Sequence, residues 1–142
     1  MRRSGGIAAV ASIDLDHLKA VNDRYGHAAG DRFIREAASV LSHHARAGDA
    51  VARVGGDEFL VLLSDADAHA ARAYADRIRR AVRTWRYEEH GYGMGFCVGW
   101  AACTEAGGLE AAVRLADKRM YARKRARART VAGSAGVGGR AS

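Results

Sequence analysis

The residues best equipped for chemistry are carboxylates. Asp14 and Asp16 follow an apolar run, Ile7 to Ile13, and Asp57 and Glu58 come directly after Gly55-Gly56 in "VARVGGDEFLVLL". A Gly-Gly pair between apolar runs (Val51 to Val54 and Phe59 to Leu63) predicts a hairpin, because glycine reaches the positive φ of tight hairpin turns. Asp57 and Glu58 then stand at the tip of a sheet. As neighbours in extended chain they point to opposite faces, which predicts different tasks. If the strand ending at Asp14 lies beside the hairpin, three carboxylates converge at one sheet edge. Such a cluster repels itself and calls for a cation. An oxygen-only set suits Mg²⁺ or Mn²⁺, which keep some waters and take further ligands from phosphates. A solvated hairpin tip with polar turn residues is the competing reading of these positions alone.

The helix expected after Asp14 opens with free backbone N–H groups, a favourable place for phosphate. Lys19 and Asn22 lie three residues apart on one side of it. An amide or a carboxylate suits the edge of a base, and the arginines and lysines of the last helix can neutralise a triphosphate. A carboxylate-bound metal beside a phosphate cradle points to nucleotidyl transfer.

The elements that position these groups follow from the rest of the 142 residues, enough for one domain with one core. Ile7 to Ile13 reads as a buried strand. "DHLKAVNDRYG" reads as a short helix, with Asp16 as N-cap and Gly26 as stop. Asp31 is expected to cap a second, amphipathic helix carrying Phe33, Ile34, Ala37, Ala38 and Leu41 on one face. Residues 67–85 form another helix, "GMGFCVGWAAC" a glycine-interrupted strand, and Leu109, Ala112, Val113, Ala116 and Met120 mark a last helix. Residues 131–142 read as a disordered tail. The order predicts an α/β sandwich: a mostly antiparallel sheet with helices packed on it.

The formal net charge of +7 favours a polyanionic partner such as a nucleotide. Cys97 and Cys103 lack metal-ligand spacing and read as reduced thiols. The start loosely mimics a signal peptide, but its apolar stretch is short and Asp14 and Asp16 follow at once. No stretch is long enough to span a membrane, so a cytoplasmic domain is expected.

"DLDHLKAVNDRYGHAAGDRF", "RVGGDEF" and "ADKRMYARK" resemble the GGDEF family of diguanylate cyclases. The resemblance covers roughly residues 7 to 130, and the domain is drawn as 1–130. It implies a fold related to the palm of nucleotidyl cyclases and polymerases. It also implies condensation of two GTP into cyclic di-GMP with release of pyrophosphate, across a homodimer, with Mg²⁺ or Mn²⁺. Carried over by position, Asp14 and Asp57 resemble the metal carboxylates, with the Leu15 carbonyl assisting, and Glu58 the second catalytic acid. Asn22 and Asp31 resemble the guanine readers, and Lys19 and Lys124 the phosphate lysines. Gly55 and Gly56 would let the nucleotide approach. Arg46 and Asp49 match an R-x-x-D inhibitory product site, and Arg77 falls where that site often draws a second arginine. Two features depart from the family. The D-x-L-T-x-L-x-N-R signature that usually precedes the first strand is absent. Ala128 also falls where the family's phosphate arginine stands, so that Arg127 or Arg129 would have to substitute.

Two other readings compete with an active cyclase. One is a catalytically weak GGDEF domain that binds cyclic di-GMP or GTP as a regulatory module. The other is nucleic-acid binding through the basic C-terminus, which is disfavoured because aromatic interleaving is missing apart from Tyr121.

Overall fold

The computed structural model describes residues 7–85 and 93–138, with side chains through 129. Strands β1 (Ala8–Leu15), β2 (Ala50–Arg53), β3 (Glu58–Ser64) and β4 (Phe96–Ala102) form one sheet in the order β2-β3-β1-β4, every pair antiparallel. The helices are α1 (Leu18–Tyr25), α2 (His27–His43), α3 (Ala68–Arg83), α4 (Cys103–Ala106) and α5 (Leu109–Gly138). None of the described helices is long and apolar enough to cross a membrane.

The sheet is covered on both faces, and strand alternation decides which residue meets which layer. Ala9, Ala11, Ile13 and Leu15 of β1, with Phe59, Val61 and Leu63 of β3, face the main core. There they join Phe33 and Leu41 of α2 and Tyr74 and Ile78 of α3. The intervening residues face α4 and α5. Val10 packs with Ala112 and Ala116, and the Ser12 hydroxyl donates to Asp117 Oδ1 at 2.6 Å. Asp14 and Glu58 have the same parity as Val10 and Leu60, so the pleat turns both acids towards α5.

Gly99 fixes how close α5 comes. A Cβ there would lie 2.2 Å from the Ala116 carbonyl oxygen and 2.3 Å from the Met120 nitrogen. The missing side chain lets helix backbone rest directly on β4, which sets the height of the next turn of α5, Tyr121 to Lys124, over the end of β1.

Three expectations change. Asp16 is not an N-cap: the cap position of α1 is His17, with φ 73, and makes no side-chain capping bond. The Asp16 backbone N–H instead continues the sheet by donating to the Gly95 carbonyl at 2.9 Å, and its carboxylate meets Arg127. Asp31 is not an N-cap either, because α2 begins earlier, at His27, behind Gly26 with φ 94. Gly26 both ends α1 and opens α2, so Asp31 lies inside the helix and exposed. Finally, the backbone of α5 stays helical to Gly138, into the stretch whose small, glycine-rich composition reads as tail. Elongating an existing helix is far easier than starting one.

Gly99→Ala is expected to destabilise the protein by about 1–3 kcal/mol, the scale of overpacking. Urea denaturation measures it, and unchanged stability would contradict the backbone-on-strand seat of α5.

Candidate active site

β1 and β3 bring the first two acids together by register: Asp14 pairs directly with Glu58. Opposite residues of an antiparallel pair have Cβ atoms about 4.5–5.5 Å apart, close enough for like charges to repel. Asp57 lies one residue outside β3. Its carbonyl accepts from the Leu15 N–H at 2.7 Å, which prolongs the ladder to the rim. One carboxylate oxygen from each of Asp14, Asp57 and Glu58 lies within 4.8 Å of the others. The alternation that predicts opposite directions for Asp57 and Glu58 does not hold, because Asp57 belongs to the loop rather than to the pleat.

The cluster fits a metal ion. Asp14 is 2% exposed, and its buried Oδ1 has no hydrogen-bond partner. A buried carboxylate with an orphaned oxygen, in a cluster with two further carboxylates, is a donor set for a hard divalent cation. Two residues of α5 steady the acids. Lys124 Nζ lies 3.0 Å from Asp14 Oδ2, and the Tyr121 hydroxyl donates to Glu58 Oε2 at 2.5 Å. That bond holds the Tyr121 phenol above its ordinary range, while Asp14 raises the Lys124 ammonium.

The hairpin tip is built differently from the tight turn expected. Neither Gly55 nor Gly56 is among the residues with positive φ. The Val54 and Gly55 N–H groups both donate to the Glu58 carbonyl, at 2.9 and 3.3 Å. Arg53 ties the loop down: its Nε donates to the Gly55 and Gly56 carbonyls at 3.0 and 3.2 Å, and its Nη2 to Gly56 at 3.0 Å. A Cβ at Gly55 would meet nothing closer than 3.6 Å, and one at Gly56 nothing within 4 Å. The chain's own packing therefore does not demand these glycines, and they keep the space outside the loop free.

Asn22 of α1 reaches the first turns of α2, one residue short of Asp31. Asn22 lies against Gly30, where an added Cβ would overlap Asn22 Oδ1 at 1.7 Å, and Asp31 is the next residue. Lys19 is not drawn to the acids. Its side chain is 89% exposed and pairs with Asp23 at 2.8 Å. Arg127 is 2.9 Å from Asp16 Oδ2, beside Gly95, rather than at the three-acid cluster.

Arg46, Asp49 and Arg77 line one cavity of about 160 Å³, floored by Tyr74. Asp49 is already engaged. Its side chain is 2% exposed, and its oxygens accept from the backbone N–H groups of Arg46 (2.8 Å) and Ser64 (2.9 Å). The Arg46 guanidinium donates to the Ser64 carbonyl, and Arg77 to the His44 carbonyl while lying over the Tyr74 ring. The acid of this pair is a staple closing the α2–β2 turn, and the two guanidinium groups form the cationic wall.

Sequence reasoning did not single out Tyr121 or Arg53 as site residues. Tyr121 precedes Lys124 by three residues, hence on the same helix face. Arg53 stands two residues before the Gly-Gly pair, within reach of its carbonyls.

A profile of the family described as "Diguanylate cyclase, GGDEF domain" matches residues 2–130. The chain belongs to the GGDEF family. It is 37% identical over 119 residues to Diguanylate cyclase A of Treponema denticola, covering 82% of this chain and 32% of that protein. It is 35% identical over 128 residues to Diguanylate cyclase DgcP of Pseudomonas aeruginosa, covering 87% of this chain and 19% of that one. The chain thus spans a third or less of the length of these two curated relatives. Among solved structures, the GGDEF domain of DgcB from Caulobacter crescentus in complex with c-di-GMP superposes with a TM-score of 0.77 at 29% identity (86% of this chain, 74% of that one). The active GGEEF domain of a diguanylate cyclase from Vibrio cholerae also gives 0.77, at 26% identity (85% and 78%). The sheet and its packed helices are the palm-like cyclase fold of GGDEF domains.

Two predictions follow from the charges. Burial pushes the Asp14 carboxyl above its ordinary 3.8 against the pull of Lys124, and Asp57 and Asp16 push the same way. A raised folded-state pKa gives a contribution fully present below the unfolded value and lost as pH rises through the folded one. Asp14→Asn should therefore raise Tm at neutral pH in chelator, and the gain should vanish below pH 3.8. A lower or unchanged Tm at neutral pH would contradict the burial penalty. Asp49→Ala should cost about 3 kcal/mol, the scale for losing two hydrogen bonds to a charged acceptor. Arg46→Ala, at an exposed guanidinium, should cost no more than ~1 kcal/mol. Equal losses in denaturant melts would contradict the staple.

Proposed function

We propose that this GGDEF domain is a diguanylate cyclase: it condenses two GTP into cyclic di-GMP with release of pyrophosphate, using Mg²⁺ or Mn²⁺. The observation that carries the reading is the Asp14–Asp57–Glu58 cluster, with its orphaned Asp14 oxygen, at the rim of a GGDEF fold. Asp14 and Asp57 would hold the metal with help from the Leu15 carbonyl. The metal would neutralise charge on the transferring phosphate. Glu58, kept in place by Tyr121, would serve the attacking 3′-hydroxyl or a second ion. The clear space outside Gly55 and Gly56 would admit the nucleotide.

Asn22 and Asp31 would read guanine. A site that hydrogen-bonds a base edge rejects a base that leaves those groups unpaired, by orders of magnitude. Asp31 is exposed and not spent on capping α2, so its carboxylate is available. Lys124 and Lys19 would take the phosphates, with Arg127 assisting once released from Asp16. One domain binds one GTP in this reading, so two copies must face each other and turnover should rise steeply with protein concentration. The Arg46 and Arg77 guanidinium groups would bind the product, their planar forks matching phosphate or a guanine edge. Product bound there would hold two domains apart from the productive arrangement, a population shift limited by its preference for that state. A cytoplasmic setting suits a GTP-consuming domain.

A second reading, a regulatory module with weak turnover, is favoured by one observation. Ala128 stands where the family's phosphate arginine does, and the neighbouring Arg127 is paired with Asp16.

Incubation with GTP and Mg²⁺, followed by product identification, separates the two. The expected product is cyclic di-GMP, with ATP unreactive in parallel. Asp57→Asn should stay folded and lose most activity, because it removes a metal charge. Turnover by Asp57→Asn equal to the parent's would overturn the metal assignment, and binding of GTP without turnover by the parent would favour the module.

A further inference from the structure

We propose that Lys124 is a built-in counter-cation of the acid cluster. In the nucleotide-free protein it holds Asp14; a bound triphosphate draws it off, so metal and nucleotide bind cooperatively. This rests on the reading of the cluster as the metal and nucleotide site.

The geometry separates a fixed partner from a movable one. Asp14 belongs to β1, is 3% exposed at its side chain and cannot leave the sheet, whereas the Lys124 side chain is 47% exposed. Its ammonium lies 3.0 Å from Asp14 Oδ2, and the Tyr121 ring 5.9 Å away gives it a second soft contact. Tyr121 itself is tied to Glu58. One turn of α5, seated by Gly99 on β4, therefore touches two of the three acids with different chemistry. The phenol can stay on Glu58 whether or not a cation arrives, because its bond uses one oxygen and no charge. The ammonium cannot be indifferent. A divalent ion among Asp14, Asp57 and Glu58 would stand within a few ångströms of it, and two cations at that range repel. Metal alone must therefore evict Lys124 or bind weakly beside it. A triphosphate resolves the conflict by offering the ammonium another anion. By linkage, the factor by which nucleotide tightens metal equals the factor by which metal tightens nucleotide.

The experiment measures Mn²⁺ binding by counting free ion in its paramagnetic resonance spectrum. The full chain is compared with Lys124→Met, Lys124→Arg and Asp57→Asn, each checked for an unchanged melting profile, with and without a saturating non-hydrolysable GTP analogue. Without nucleotide, Lys124→Met should bind Mn²⁺ roughly tenfold more tightly than the parent, inside the 5–150-fold range of ordinary coupling. Lys124→Arg, which keeps the charge, should stay near the parent. The analogue should tighten Mn²⁺ strongly in the parent and much less in Lys124→Met. If Lys124→Met binds Mn²⁺ no more tightly than the parent while Asp57→Asn loses binding, the counter-cation role is overturned and the metal site stands. If Asp57→Asn binds as the parent does, both fall.

Discussion

The antiparallel pairing of β1 with β3 is the constraint on which the site depends. Its register sets Asp14 opposite Glu58, on the same face, at the end of the sheet. Two carboxylates there, with Asp57 at the rim, are an unfavourable arrangement left to themselves. Asp14 is nearly buried, with one oxygen unpartnered, so its ionisation works against stability. The molecule tolerates the cost because the register is enforced elsewhere, by Ala9, Ala11, Ile13, Phe59, Val61 and Leu63 packing beneath α2 and α3. A slip of one residue would turn every one of them to the wrong face. The core thus holds the acids in a position their own charges oppose, a common way for strain to be concentrated at a functional site.

The second layer answers the charge. Gly99 lets α5 lie on β4, and Tyr121 and Lys124 then reach Glu58 and Asp14. Neither contact is a buried, fully satisfied network, since both α5 residues remain partly open to solvent. That suits groups which, in the proposed exchange, would change partners when a nucleotide and metal arrive. The hairpin follows the same division. Arg53 holds the loop carbonyls, and a Cβ at Gly55 or Gly56 would still meet open space or ordinary contacts.

Much of this was legible in the sequence because it follows from periodicity. The apolar run before Asp14, the hairpin, the helix over residues 67–85, and the start of the last helix all appear where the pattern puts them. The convergence of Asp14, Asp57 and Glu58 was legible too, once the two strands were taken as neighbours. What was misread depends on local backbone or on distant partners. Asp16 and Asp31 are acids placed just before apolar helical patterns, the usual sign of a cap. Gly26 instead joins α1 and α2 without a side-chain cap, and Arg127, more than a hundred residues along the chain from Asp16, claims its carboxylate. Asp49 matches the second residue of an R-x-x-D motif, but its role as acceptor for Arg46 and Ser64 N–H groups depends on a strand register that composition does not reveal. Tyr121 was hidden for the same reason: only the seating of α5 shows which acid its hydroxyl meets.

The most direct test is diffraction from crystals grown with Mn²⁺ and a non-hydrolysable GTP analogue. The expected anomalous peak lies among the carboxylates of Asp14 and Asp57, touching the triphosphate, with Lys124 Nζ on a phosphate oxygen instead of Asp14. A nucleotide bound with no manganese at these carboxylates, or manganese bound there with Lys124 still on Asp14, would contradict the exchange of cations at the end of β1.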